Sequence, residues 1–149
     1  MTELEMKKYS RNALLGSFVS MLTAGLATMM YSVSISTIRT DLALTAVQAG
    51  SLGTYTFMGQ MLGGMVAGYL ADRYGRKNIL IVDVILATLA VFATSLLQSY
   101  SIFGILRFIT GVGLGGCYYI ASILIGEFVP TNKRGFMSGV ATSVWNFGY

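Results

Sequence analysis

Histidine is absent from this chain of 149 residues, and Cys117 is its one cysteine. A zinc site of the usual kind draws on several cysteines and histidines, and an intrachain disulfide needs two cysteines, so the sequence excludes both. The apolar segments also lack a histidine base, paired carboxylates or a thiol in polar surroundings, on which acid–base and nucleophilic catalysis depend. An enzyme is therefore the least favoured class, and no metal or cofactor is expected.

Charged residues are scarce too, at 11% of the chain against roughly 25% in a typical soluble domain. Residues 12–38, 42–71, 84–106, 108–126 and 135–149 carry no charge at all. A helix rises about 1.5 Å per residue, so about 20 residues cross a hydrocarbon core about 30 Å thick. These runs exclude a soluble protein, a disordered protein and a disulfide scaffold, and their continuous apolarity excludes a membrane β-barrel.

We therefore predict an all-α membrane protein, a multi-pass helical bundle that follows a cytoplasmic tail at residues 1–12. The expected spans are residues 13–38, 48–70, 78–97, 101–128 and a truncated fifth at 135–149. A capping-box pattern, Thr45-x-x-Gln48, marks the start of the second span, and Pro130 ends the fourth. The first run far exceeds the roughly 7–15 residues of a signal-peptide core, which predicts a retained helix.

Basic residues divide unevenly between the two sides of the predicted spans. Eight of the ten fall on one side: Lys7, Lys8, Arg11, Arg73, Arg76, Lys77, Lys133 and Arg134. Arg39 lies on the other side, and Arg107 lies within a span. Cytoplasmic loops carry the excess of lysine and arginine, so we expect a cytoplasmic N-terminus in a plasma membrane, such as a bacterial inner membrane. The net charge of +4 indicates contact with membrane lipid rather than with nucleic acid.

Glycine pairs four residues apart recur along the spans, and such small-residue stripes let helix backbones approach closely in a membrane. The pairs are Gly59 with Gly63, Gly64 with Gly68, Gly111 with Gly115, and Gly135 with Gly139. Residues 111–116 also match G-x-G-x-x-G, but a dinucleotide site needs a strand before this motif and an acidic residue about 20 positions on. The motif lies inside an apolar run, so it predicts helix packing.

The most informative stretch is residues 68–80, which read GYLADRYGRKNIL. Asp72 suits the positive N-terminus of a nearby helix, Gly75 can reverse the chain, and Arg76 offers a planar fork for a carboxylate. The stretch resembles the signature loop between helices 2 and 3 of the major facilitator superfamily, G-x-L-A-D-R-x-G-R-K-x-x-L. Every specified position of that pattern matches.

Two further stretches resemble the same family. Residues 107–113, RFITGVG, are similar to its helix 4 pattern R-x-x-x-G-x-G. Residues 127–135, EFVPTNKRG, are similar to the E-x-x-P-x-x-x-R-G segment that joins helices 4 and 5 in sugar porters and their relatives. The three matches lie between residues 68 and 135. The spans and the orientation predicted for the whole chain agree with the same family.

The resemblance implies a secondary transporter of twelve helices in two halves, with the solute site between the halves near the midplane. It implies transport of a small polar or organic solute by alternating access, coupled to a proton or other gradient. The chain stops within helix 5, so we predict an N-terminal fragment that lacks the C-terminal half of the transporter. This fragment alone is not expected to transport solute.

A charge network is expected at the cytoplasmic ends of the helices, where the resemblance implies a gate. The candidate residues of this gate and of the signature loop are Gly68, Asp72, Arg73, Gly75, Arg76, Glu127 and Arg134. Arg76 or Arg73 is expected to approach Glu127, and Arg134 is expected to lie near Asp72 or Glu127. The alternative is a charged turn that only sets membrane topology.

Polar residues within the spans are candidates for solute binding or coupling: Arg107, Tyr31, Gln60, Tyr118 and Asn146. A charge inside a span is costly and usually faces the bundle interior, although Arg107 is close enough to a span end to reach the interface instead. Asp83 is expected to reach back to the cytoplasmic interface or to pair with a nearby basic residue. The first span has no acidic residue, which argues against coupling through a carboxylate there.

Two other readings remain open at this point. The first is a complete small exporter of four helices that works as a dimer, although it would normally need an acidic residue in its first span. The second is a membrane protein that assists assembly or binds a partner and transports nothing.

Overall fold

The computed structural model describes residues 3–96, 99–129 and 131–148, and their regular structure is entirely helical. Five helices follow one another: α1 (Glu3–Asp41), α2 (Ala46–Tyr74), α3 (Arg76–Leu96), α4 (Tyr100–Phe128) and α5 (Arg134–Gly148). The predicted all-α architecture is confirmed. The helices extend beyond the expected spans because the charged residues at their ends also favour helix, and α1 therefore includes most of the predicted tail.

Three helices in the described part of the chain are long and apolar enough to cross a membrane: residues 11–41 of α1, together with α3 and α4. α2 has 29 residues, which is sufficient length, but its glycines, tyrosines and Gln60 make it less apolar. α5 has 15 residues, fewer than the about 20 that a membrane crossing takes. The outward faces of the helices carry large apolar side chains such as Val19, Leu89 and Phe92, as contact with lipid requires.

The start of α2 and the turn after it follow from local sequence. The Oγ1 atom of Thr45 accepts a hydrogen bond from the Gln48 N–H at 3.3 Å, and Gln48 Oε1 accepts one from the Thr45 N–H at 3.0 Å. This is the predicted capping box. Gly75 alone separates α2 from α3; its φ of 90° is a backbone conformation that other residues rarely adopt.

The turns define two ends of the bundle. The α2–α3 turn lies beside the C-terminus of α4, because Arg76 and Glu127 meet there; we call this the signature end. At the other end, Ser51 near the start of α2 and Tyr100 at the start of α4 share a hydrogen bond of 2.7 Å. α4 ends at Phe128 as predicted, while Pro130 and Gln98, expected in the turns that flank α4, lie outside the described residues.

α4 lies at the centre of the bundle and packs against all four other helices, whereas α5 packs against α1 and α4. Small residues make this possible, since α4 buries Gly104, Gly111, Gly113 and Gly116 along its length. The apolar core is accordingly distributed around α4, with Ile120 fully buried between α2 and α3.

Glycines bring α2 and α4 into backbone contact. A β-carbon added at Gly59 or Gly63 would collide with the main chain of α4, and one added at Gly111 or Gly115 would collide with the main chain of α2. The pair Gly59 and Gly63 and the pair Gly111 and Gly115 thus meet in one interface. Gly64 has room for a β-carbon, which would lie 3.7 Å from the Gly115 carbonyl oxygen.

Gly135 and Gly139 of α5 have no described neighbour within 4 Å of an added β-carbon. Among the described residues, this pair therefore does not form a packing stripe. The spacing of two glycines determines that they share a helix face, but the position of the neighbouring helices determines whether that face is covered.

We predict that Gly111→Ala destabilises the bundle, because the methyl group would meet the main chain of α2, which cannot move aside as a side chain can. Overpacking of this kind costs roughly 1–3 kcal/mol. Unfolding of the detergent-solubilised protein can be followed with a thiol-reactive fluorescent dye, since the single cysteine, Cys117, is buried. Gly139→Ala is the matched control and should leave the melting temperature unchanged or raise it; equal melting temperatures for the two variants would contradict the proposed contact.

Candidate functional site

A cleft of about 960 Å³ lies between α2, α4 and α5. Gln60 of α2, Tyr118 of α4 and Asn146 of α5 line it, so three of the five predicted solute or coupling residues share one space. Helical spacing explains the α2 wall, because Gln60, Gly64 and Gly68 recur every four residues along one face. Apolar side chains fill the gaps between the polar groups: Phe57, Met61, Met65, Leu114 and Ile123.

Tyr119 and Gly68 shape the part of the cleft nearest the signature end. The Tyr119 ring lies against Gly68, where an added β-carbon would be 2.8 Å from the ring atom Cε1. Gly68 therefore lets an aromatic side chain of α4 lie flat on α2. This contact gives a structural reason for the glycine that opens the signature stretch.

The cleft ends in an ion-pair network centred on Arg76. Its Nη2 atom lies 3.5 Å from Oδ1 of Asp72, which is four residues earlier in the chain and lies on α2. Its Nη1 atom pairs with Glu127 Oε1 at the end of α4. The expected approach of Arg76 to Glu127 is thus present. The Arg76 side chain is 26% exposed, while those of Asp72 and Glu127 are 73% and 51% exposed. One guanidinium consequently joins α2, α3 and α4.

The other two candidate gate arginines do not join this network. Arg73 is exposed, and its Nη1 atom donates a hydrogen bond of 3.5 Å to the Tyr69 hydroxyl. Arg134 is also exposed and forms no ion pair with any described residue within 4.0 Å. Arg134 was expected to lie near Asp72 or Glu127, and this expectation stays a prediction. α5 packs against α1 and α4, and not against α2, which carries Asp72, among the described residues.

Arg107 and Tyr31 lie elsewhere, at the end of the bundle opposite the signature end. Arg107 is 7% exposed, and its Cζ atom is 4.0 Å from the centroid of the Tyr31 ring and 5.2 Å from that of Phe103. Arg107 is therefore buried in the interior of the bundle, which favours the interpretation in which its charge faces inward. These side chains line a second cavity of about 520 Å³ between α1, α3 and α4.

The charge of Arg107 has no anionic partner in the described part of the chain. No carboxylate lies within 4.0 Å of it, and its Nε atom is buried without a hydrogen-bond acceptor. The aromatic rings provide partial compensation, which amounts to about 2 kcal/mol for a desolvated cation. Asp41 lines the same cavity but forms no ion pair with Arg107. A buried guanidinium that faces a cavity and has no ion pair is suited to bind an anionic group.

The position of Asp83 differs from the position that was predicted from the sequence. Asp83 is 6% exposed on the face of α3 that packs against α4, with Gly116 of α4 and Ala67 of α2 beside its carboxylate. Because Asp83 is buried and forms no ion pair among the described residues, the expectation that it reaches the interface or pairs with a basic residue is wrong. Arg76 pairs instead with Asp72 and Glu127. The signal in the sequence is the spacing of Asp83, because residues 80, 83, 87, 90 and 94 form the buried face of α3.

Comparison with known proteins places the chain in a family. Residues 17–149 match the family model described as Major Facilitator Superfamily. The chain is 34% identical to the cis,cis-muconate transport protein of Acinetobacter baylyi, over 92% of this chain and 33% of that protein. It is 30% identical to an inner membrane metabolite transport protein of Escherichia coli, over 100% of this chain and 34% of that protein.

A third relative is the niacin transporter of Acinetobacter baylyi, which is 33% identical over 77% of this chain and 26% of that protein. The chain therefore spans about a quarter to a third of the length of these relatives. The family match covers four of the five helices and most of α1, including both cavities and the ion-pair network. The chain is a multi-pass membrane protein that belongs to the major facilitator superfamily.

Proposed function

We propose that the chain forms part of a secondary active transporter that moves a small polar or organic solute by alternating access, coupled to a proton or other gradient. The observation that carries this proposal is the cleft beside α4, where Gln60, Tyr118 and Asn146 lie together and an ion-pair network closes one end. Small-molecule sites are mostly apolar clefts of roughly 300–1,000 Å³ with a few polar groups. The cleft, at about 960 Å³, fits that description.

The chain spans about a third of its relatives, so we infer that it supplies one part of a transport path. The described residues bound the cleft by α2, α4 and α5. Further helices would supply the opposite wall, near the midplane of the membrane. Residues 1–149 alone are therefore expected not to transport solute.

The network around Arg76 is proposed to act as a gate that stabilises the state in which the signature end is closed. Each ion pair is partly exposed, and such pairs contribute up to about 1 kcal/mol. A bias of this size is enough to matter, since about 1.4 kcal/mol changes the ratio of two states tenfold. Weak pairs also suit a contact that must break in every transport cycle.

Arg107 is proposed to bind the anionic group of the solute in the second cavity, which is separate from the cleft. Its charge is buried and faces this cavity, and no described carboxylate lies within 4.0 Å of it, although Asp41 also lines the cavity. Two of the relatives are named for organic acids, cis,cis-muconate and niacin. An organic acid would supply the carboxylate that the protein itself does not place beside Arg107.

The orientation is proposed from the basic residues. The signature end carries Arg73, Arg76 and Lys77 in one turn and Lys133 and Arg134 in the next connection, whereas the opposite end carries Arg39. Cytoplasmic loops hold the excess of positive charge, so the signature end and the N-terminus face the cytoplasm. The relative from Escherichia coli is named as an inner membrane protein, and we propose a bacterial inner membrane for this chain.

The gate is tested by uptake into vesicles that contain the full-length transporter. Arg76→Gln and Glu127→Gln should each lower the initial rate about fivefold, because each removes about 1 kcal/mol from one state. The double variant should be no slower than the slower single variant, as expected for two residues in one contact. Lys77→Gln, an exposed neighbour, is the control, and additive losses or unchanged rates would contradict the gate.

The anion site is tested with Arg107→Met, which removes the charge and keeps an apolar side chain of similar length. Hydrogen bonds to charged groups are worth about 1.5–3 kcal/mol, so the half-saturating concentration of an organic acid should rise roughly tenfold to a hundredfold. Uptake of a neutral analogue should be unaffected, and Arg39→Met should change neither. Equal effects on the acid and the neutral analogue would exclude the proposed role.

The orientation is tested by labelling intact cells with a membrane-impermeant maleimide. In a Cys117→Ala background, Arg39→Cys should react from outside, while Lys77→Cys should react only after the membrane is disrupted. Both positions are exposed, so accessibility reports the side of the membrane. The reverse pattern would overturn the proposed topology.

A further inference from the structure

Asp83 lies in an apolar environment between three helices. Gly116 of α4 and Ala67 of α2 flank the Oδ2 atom of its carboxylate, which is buried and has no hydrogen-bond partner among the described residues. Leu80 and Ala87 share its face of α3, and the surrounding cluster is apolar apart from the thiol of Cys117. The carboxyl group thus lies seven residues, or about 10 Å along the helix, from Arg76 at the signature end.

Titratable groups around Asp83 do not offset its charge. α4 contributes Cys117, which is neutral as a thiol, and α2 contributes Ala67 and Ala71. α1 presents Ser20, Thr23 and Ala24 to the neighbouring groove, and none of these titrates. Arg76, the nearest cation along α3, is engaged by Asp72 and Glu127.

An ionised carboxylate without a counter-ion is costly in such a place, and buried groups of this kind become neutral instead. The geometry points to Asp83 as a proton-binding site, in which its carboxylate takes up one proton from water that enters at the signature end. No redox step or further reactant is involved. We infer that Asp83 is the coupling carboxylate of this transporter, an inference that rests on the proposed function.

The position of Asp83 also links proton release to movement. Its carboxylate packs directly on Gly116, so water can solvate the ionised form only when α3 separates from α4. Arg76 on α3 and Glu127 on α4 join the same two helices at the signature end. Breaking that ion pair would loosen the contact that keeps Asp83 dry, so gate opening and proton release favour each other.

The proton itself can be detected by infrared spectroscopy of the 149-residue chain carrying carboxyl-labelled aspartate in detergent. At neutral pH, where exposed aspartates are ionised, we expect an isotope-shifted band of one protonated carboxyl group. Asp83→Asn should remove the band, while Asp41→Asn and Asp72→Asn should keep it. Since the chain has three aspartates, the two controls assign the band to Asp83 even where Asp83→Asn fails to fold. Absence of the band at neutral pH, or its survival in a folded Asp83→Asn protein, would overturn the inference.

Coupling is then measured in vesicles that contain the full-length transporter. An imposed pH gradient should accelerate uptake by the wild type, and Asp83→Asn should lose that acceleration while still exchanging solute between the two sides. Unchanged acceleration in Asp83→Asn would refute the coupling role. Absence of any solute movement by the wild type would instead refute the proposed function, and the infrared band would still report whether Asp83 holds a proton.

Discussion

The close approach of α2 and α4 is the contact on which the rest of this bundle depends. Because glycines remove the side chains between the two backbones, α4 can lie at the centre and still touch the other four helices. In a membrane there is little hydrophobic force between helices, so van der Waals contact along such a stripe supplies much of their association. The same contact fixes one wall of the cleft and brings the ends of α2 and α4 close enough for Arg76 to bind both Asp72 and Glu127.

The buried or half-buried charged groups differ in what offsets the free energy lost when they leave water. These differences indicate different roles. Arg76 has two carboxylates at a partly exposed end, where each pair is weak and reversible. Arg107 has aromatic rings and a cavity but no ion pair among the described residues. Asp83 also has no ion pair there, and its Oδ2 atom has no hydrogen-bond partner among the described residues. Arg76 is neutralised by ion pairs, whereas we propose that a solute anion neutralises Arg107 and that a proton neutralises Asp83.

Sequence patterns predicted those features that depend on one helix or one turn. Uncharged runs located the helices, Thr45 and Gly75 marked boundaries that the backbone confirms, and glycine spacing identified the α2–α4 interface. Features that depend on which helices become neighbours were not predictable in the same way. Arg134 was expected near Asp72 or Glu127, yet α5 packs against α1 and α4 and not against α2 among the described residues. The burial of Asp83 likewise depends on which face of α3 packs against α4.

α4 is also the element through which the two cavities and the buried carboxylate can influence one another. Arg107 lies near its start, Tyr118 lines the cleft in its middle, Gly116 covers Asp83, and Glu127 forms the ion pair at its end. A shift of one rigid helix changes all four contacts at once, since packed helices move as units rather than deform continuously. A solute anion at Arg107 and a proton at Asp83 would each favour the position of α4 that accommodates it. Their binding would therefore be coupled without any direct contact between the two sites.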